Sequence, residues 1–148
     1  MVATLWLWNY LPKWISWLPI AIMWIWQLPQ CLCGAVVKLF YCTSGSKKVQ
    51  TIKRGICITQ NWGMTSGVSL GEFQFTYRYS SQYTNSHEAA HNIQSIILGP
   101  LYLLVIGLPS IVWCWLYSYT SLVDHRKHSY YWFYTERWAD RLAGIPDR

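Results

Sequence analysis

The sequence predicts a mainly α-helical chain with a small β-sheet, associated with a membrane. Three observations carry this expectation. Hydrophobic residues make up 53% of the 148 residues and aromatics 18%, while charged residues reach only 12%, about half of the roughly 25% usual in globular domains. Two apolar runs, 5–41 and 98–119, are punctuated by proline and glycine rather than by charge. Between them, residues 67–79 alternate with period two in β-prone residues. A chain this short has little interior in which to hide so much apolar surface. Its eleven Trp and eleven Tyr suit a place where one end of the ring is apolar and the other wet.

The first run is long enough for a span of about 20 residues, but Pro12, Pro19 and Pro29 each remove a backbone donor. It reads as a Trp-rich interfacial piece over 5–17, then a crossing helix over 18–40 kinked near Pro29. No Lys or Arg precedes Lys13, so the positive start of a secretory signal is missing. Residues 1–42 are therefore expected to be a membrane anchor. Residues 43–66 are polar and basic with Gly and Ser punctuation, which predicts loop with a short strand at 49–58 on the cytoplasmic side. The alternation of Phe73, Phe75, Tyr77 and Tyr79 with Gln74, Thr76 and Arg78 predicts a half-buried strand.

Residues 84–98 predict a helix of about four turns, with Thr84, Asn85 and Ser86 as candidate N-caps and Gly99-Pro100 as its end. Residues 100–119 are apolar around Gly107-Leu108-Pro109, and 120–129 form a polar connection. Residues 130–143 predict a last helix, closed by Gly144 at C′ and Pro146.

The net charge of +6 comes from scattered residues such as Lys47, Lys48, Lys53, Arg54, Arg126 and Lys127. No nucleic-acid motif accompanies them, so the charge reads as a flank facing anionic lipid, and no nucleic-acid partner is expected. Five cysteines, Cys31, Cys33, Cys42, Cys57 and Cys114, are odd in number and fit neither a disulfide frame nor a zinc finger.

His87-Glu88-Ala89-Ala90-His91 is an HExxH motif. On a helix, positions i and i+4 share a face, so both imidazoles reach one metal at about 2.0–2.1 Å. Glu88 points to a neighbouring face, where it meets a metal-bound water rather than the metal. A third ligand is needed. Glu136 and Asp140 are i, i+4 on the last helix, so one face presents two carboxylates. One can bind the metal and the other can accept a hydrogen bond from a ligand imidazole. The chain has only six acidic residues, and Glu88, Glu136 and Asp140 fall in these two motifs. Asn92 and Gln94 lie within one turn of the histidines and are further candidates for holding them. His125 and His128 sit in the polar connection and read as solvated.

HExxH followed by Glu136-Arg137-Trp138-Ala139-Asp140 resembles the gluzincin metallopeptidases, especially the membrane-embedded Ste24/HtpX-like peptidases. The stretch from Gly99 to Gly144 also resembles a group of small uncharacterised bacterial membrane proteins. The resemblance implies a minimal zincin-like core over 43–148: strand, HExxH helix, apolar hairpin and ExxAD helix. It implies Zn2+ held by His87, His91 and Glu136, with Glu88 as catalytic base and Asp140 behind the first histidine. It implies a zinc-dependent endopeptidase of the bacterial inner membrane, acting on peptide or protein substrates beside the lipid bilayer, its active site on the cytoplasmic side. The oxyanion donor is open among Tyr130, Tyr131, Tyr134, His125, His128 and Arg141. The strand at 68–79 is a candidate to pair with an extended substrate. The reading from another class is a non-catalytic membrane protein that keeps a structural or vestigial metal and acts through partner contacts.

A shared metal constrains topology. The apolar run 98–119 separates His91 from Glu136, and 20 helical residues span about 30 Å. A straight crossing would part the motifs, so either the run doubles back at Gly107-Leu108-Pro109 or residues 130–142 return into the membrane; the polar 120–129 connection and the central Gly and Pro favour the hairpin.

Overall fold

The computed structural model describes residues 17–43, 48–53, 56–61, 67–146 and 148; the Trp-rich piece expected over 5–17 lies almost wholly outside them. The chain is mainly helical with one small mixed sheet. Helices α1 (Trp17–Trp26) and α2 (Leu28–Thr43) lead into strands β1 (Lys48–Lys53), β2 (Ile56–Asn61), β3 (Val68–Leu70) and β4 (Phe73–Tyr77). Helix α3 (Gln82–Leu98) follows, then a 3-10 turn (Gly99–Leu101), a π-helical turn (Leu103–Gly107) and α4 (Leu108–Tyr119). A second 3-10 turn (Tyr130–Trp132) opens onto α5 (Tyr134–Ala143).

The expected crossing helix over 18–40 is instead two helices. The break falls at Gln27, two residues before Pro29 and so near where the kink is expected, although Gln27 N–H still donates to Met23 O and Cys31 N–H to Gln27 O. Pro29 sits in the first turn of α2, where its missing donor costs nothing. Among the described residues no single helix is long and apolar enough to cross a membrane.

The basic segment holds a hairpin, β1–β2, rather than one short strand. The sheet order is β1-β2-β4-β3, with β2 parallel to β4 and β3 antiparallel to it. Strand β4 is buried on both faces rather than one, because helices cover both. Phe73 and Phe75 pack with Cys31, Cys57, Trp24, Ala35 and Val37 under α1 and α2. On the other face Gln74 reaches Asn85 O of α3 at 3.5 Å.

Two prolines tie the helices together through the carbonyls they orphan. Pro100 has no N–H for Ile96 O, four residues back, and the Trp26 indole donates to that oxygen at 2.8 Å. Pro109 has none for Val105 O, and the Tyr134 hydroxyl donates there at 2.5 Å. The reversal of the apolar run is thereby displaced. Segments Gln82–Leu101 and Leu103–Tyr119 are bent by 118° at Tyr102, whereas Gly107-Leu108-Pro109 continues into α4. Pro109 falls in the first turn of α4, a tolerated place. Gly99 makes the turn at φ +52°, and a Cβ there would fall inside the Trp26 indole.

Helix α3 starts at Ser81, whose hydroxyl accepts from Thr84 N–H at 3.1 Å, three residues before the earliest cap expected from sequence. Helix α5 ends as expected: Gly144 takes φ 70°, ψ 26°, and Ile145 N–H returns to Asp140 O.

Glu72, in the β3–β4 turn, is buried and accepts from Gln27 Nε2 at 2.7 Å. Burial pushes its carboxyl above the ordinary value near 4.5, against the pull of the Gln27 hydrogen bond. The folded state then holds the proton more tightly than the unfolded one. Stability is highest below 4.5 and falls as pH rises through the folded value. Gln27 Oε1 also lacks a partner, and an amide at position 72 can donate to it. Glu72→Gln is expected to raise stability at pH 7 by about 1–2 kcal/mol. In parallel thermal melts this advantage should disappear at low pH.

Candidate metal centre

Helices α3 and α5 pack together and bring His87, His91 and Glu136 to one point. His87 Nε2 lies 3.1 Å and His91 Nε2 3.5 Å from the same oxygen, Glu136 Oε2. Donors placed 2.0–2.1 Å from a tetrahedral ion stand about 3.3 Å apart, so the two distances bracket what one ion requires. The ligating atoms all lie within 4.8 Å of one another, and all three residues are buried.

The opposite ring nitrogens decide the protonation. His87 Nδ1 faces Asp140 Oδ1 at 2.7 Å. His91 Nδ1 faces Gln94 Oε1 at 2.7 Å, and the Gln94 amide is oriented by its Nε2, which donates to Thr135 O at 3.0 Å. Both partners are acceptors, so both Nδ1 atoms carry protons. In the neutral rings both Nε2 lone pairs then point at a carboxylate oxygen. That convergence is favourable only with a cation between them, or with protons turning the rings into imidazolium. The chemistry of the donor set and its spacing both fit a metal ion. Burial works to raise the Glu136 carboxyl, but with the rings as imidazolium, hydrogen bonds from His87 and His91 overcome it and hold the group well below the usual range. The Thr135 hydroxyl occupies the other oxygen at 3.1 Å.

Glu88 is not among these ligands. Its Oε2 lies 2.9 Å from Ser69 Oγ on edge strand β3, and Ser69 Oγ also reaches Glu88 O. Burial pushes the Glu88 carboxyl up, partly offset by His91, His87 and Ser69. Asp140 stands behind His87 as the sequence reading has it, and it is also clasped by Arg148, Nε to Oδ2 at 3.0 Å and Nη2 to Oδ1 at 3.1 Å.

Of the candidate oxyanion donors, Tyr134 is committed to Val105 O, His125 stacks on Tyr117 and His128 lies against Trp132. Arg141 is exposed. Tyr131 sets its ring edge against His87 at 5.5 Å. Burial first, then the Glu136 charge, pushes the Tyr130 phenol up, but that phenol is hydrogen-bonded to Cys114, so Tyr131 is the candidate whose ring borders a ligand. Sequence reasoning missed Ser69 and Tyr102. The Tyr102 hydroxyl, buried in the apolar run, donates to Ser69 O at 3.2 Å, which occupies one edge carbonyl of the strand expected to bind substrate. The available signal was a phenol at Tyr102, inside the apolar run and far from the tyrosines at its end. Asn92 is buried with neither amide atom paired among the described residues.

Gln94 is the outer partner of His91. Gln94→Leu is expected to weaken metal binding about 10–100-fold, while Gln94→Glu, which keeps an acceptor, should lose less. Competition with a chromophoric chelator measures both. Compared with known proteins, the chain matches no family model, no curated protein and no solved structure.

Proposed function

We propose that this protein is a membrane-associated zinc endopeptidase in which His87, His91 and Glu136 hold Zn2+ and Glu88 is the general base. One observation carries the reading: both Nε2 atoms converge on Glu136 Oε2 at 3.1 and 3.5 Å while both Nδ1 atoms are spoken for. When bound, the ion supplies an activated water and polarises the scissile carbonyl. Ser69 holds the Glu88 carboxylate beside the ligands, ready to take the water's proton and pass it to the leaving amine. Tyr131, whose ring edge borders His87, is the proposed donor to the developing oxyanion.

The membrane part rests on two apolar stripes. Leu32, Val36, Leu39 and Phe40 line one face of α2, and Leu101, Leu104, Leu108, Ile111 and Trp115 line the outer face of the bent segment; each is more than half exposed. Stripes of this kind seat in a bilayer without crossing it. The proposed location is the bacterial inner membrane, with the basic 43–66 segment and the active site on the cytoplasmic side.

The burial of the ligands, 5%, 8% and 2% exposed for His87, His91 and Glu136, favours a second reading, because closed sites are the mark of structural zinc. Zinc analysis combined with cleavage of a quenched peptide library separates the two. The peptidase reading expects stoichiometric zinc and cleavage that falls about 10²–10⁴-fold in Glu88→Gln with zinc retained. Zinc without cleavage supports the structural site. Protein that takes up no zinc sinks both.

A further inference from the structure

Two cavities lie side by side behind the metal centre, and they share Trp132 and Arg137. The first, about 230 Å³, is bordered by Lys127, Arg137, Arg148 and Asp140. The second, about 470 Å³, is bordered by Phe133, Tyr134, Trp138 and Arg141 besides the shared pair, and falls within the roughly 300–1,000 Å³ of small-molecule sites. One end of the groove is cationic and the other aromatic.

We propose that this groove binds an anionic phospholipid, its phosphate among Lys127, Arg137 and Arg148 and its acyl chain along the aromatic end. The charge balance supports the head site. Among the described residues Asp140 is the only acidic one bordering the cavity, and both its oxygens are committed to His87 and Arg148. The Arg137 guanidinium has no acceptor among the described residues. Lys127 pairs with Asp124 only at 3.5 Å, both well exposed, a contact worth about 0–1 kcal/mol that yields to a stronger anion. Two cations thus face the cavity with no buried countercharge among the described residues, which suits a phosphate.

The apolar end says what is attached to that phosphate. Tyr134 is tied to Val105 of the bent apolar segment, and Trp132 packs against Trp113 of α4 with ring centroids 6.2 Å apart. Two lining residues are therefore anchored on the segment that carries exposed Leu104 and Leu108. A free phosphate would leave the aromatic half unused. The site also touches the metal centre: Arg148 clasps Asp140, and Asp140 orients His87, so a headgroup that draws on Arg148 reaches the zinc ligand through one carboxylate.

The test needs no peptidase activity, and Arg137 has no part in the metal site, so the proposal and the endopeptidase reading fail separately. Short-chain phosphatidylglycerol below its micelle concentration, short-chain phosphatidylcholine and inorganic phosphate would each be titrated into the full chain, following Trp fluorescence. The expected result is saturable binding of the anionic lipid that weakens roughly tenfold or more in Arg137→Gln and is largely restored in Arg137→Lys. Circular dichroism of both variants guards against misfolding. Inorganic phosphate should bind more weakly than the lipid. Equal affinity for inorganic phosphate would make this a free-anion site and overturn the proposal. Equal affinity for phosphatidylcholine, or lipid binding unchanged in Arg137→Gln, would overturn it as well.

Discussion

Glu136→Ala is expected to purify without stoichiometric zinc and to show no response of its melting temperature to a chelator. The parent should respond strongly to the same treatment. An ion that binds only the folded state adds about 4 kcal/mol when present at a thousand times its dissociation constant, and that increment is what chelation removes. Glu136 is the only anion among the three ligands. Its loss leaves two neutral imidazoles and no charge to offset desolvation of a divalent ion, so affinity should fall on the order of a thousandfold or more, beyond the 10–100-fold of an outer partner. The variant also leaves both Nε2 atoms facing a buried void, since Glu136 is only 2% exposed. Breaking a buried pair of this kind costs about 3–5 kcal/mol on its own. Metal analysis and paired melts with and without chelator decide the matter. A parent that melts identically in both would mean that the His87–His91–Glu136 cluster is held by protons, with the rings as imidazolium.

The chemistry of this cluster was legible in the sequence because two i, i+4 patterns fix which side chains share a face, whatever the rest of the fold does. His87 with His91 and Glu136 with Asp140 needed only the helical period. The geometric demand that the intervening run reverse was legible too, but not the place of reversal. Gly107-Leu108-Pro109 looked like the breaker, yet a proline in the first turn of a helix breaks nothing. The real turn uses Gly99 at positive φ and Pro100, whose orphaned carbonyl finds Trp26 seventy residues away. A long-range partner of that kind leaves no local trace. The same holds for Ser69, which reads as an ordinary strand serine until β3 is laid against α3, and for Arg148, whose clasp on Asp140 depends on the chain returning past Gly144. The β1–β2 hairpin was obscured because its basic, polar residues give a weak alternation signal. The membrane expectation rested on composition, and composition does not distinguish a spanning helix from apolar stripes on several short ones.

Gly67→Ala should abolish most peptide cleavage while leaving zinc in place. A Cβ at Gly67 would overlap the Glu88 carboxylate and its Cγ. A free glutamate would swing aside at little cost, but Glu88 is only 5% exposed and Ser69 holds both its carboxylate and its carbonyl at 2.9 Å. The methyl group therefore either displaces the base or pushes β3 off α3. Overpacking of this kind costs about 1–3 kcal/mol of stability, and a shift of about 1 Å at a reacting group is enough for a hundredfold loss of rate. Gly107→Ala is the control: its Cβ meets the flexible end of the Leu103 side chain at 3.2 Å and Tyr102 O only at an ordinary 3.9 Å, within a helix where alanine gains about 0.5–1 kcal/mol over glycine. It should keep full activity. Under the structural-metal reading both alanines would change stability alone. Cleavage that survives Gly67→Ala at the parent rate would show that the Glu88 carboxylate does not act from where Ser69 holds it. Loss of cleavage with zinc retained would separate the proposed base from the ligands.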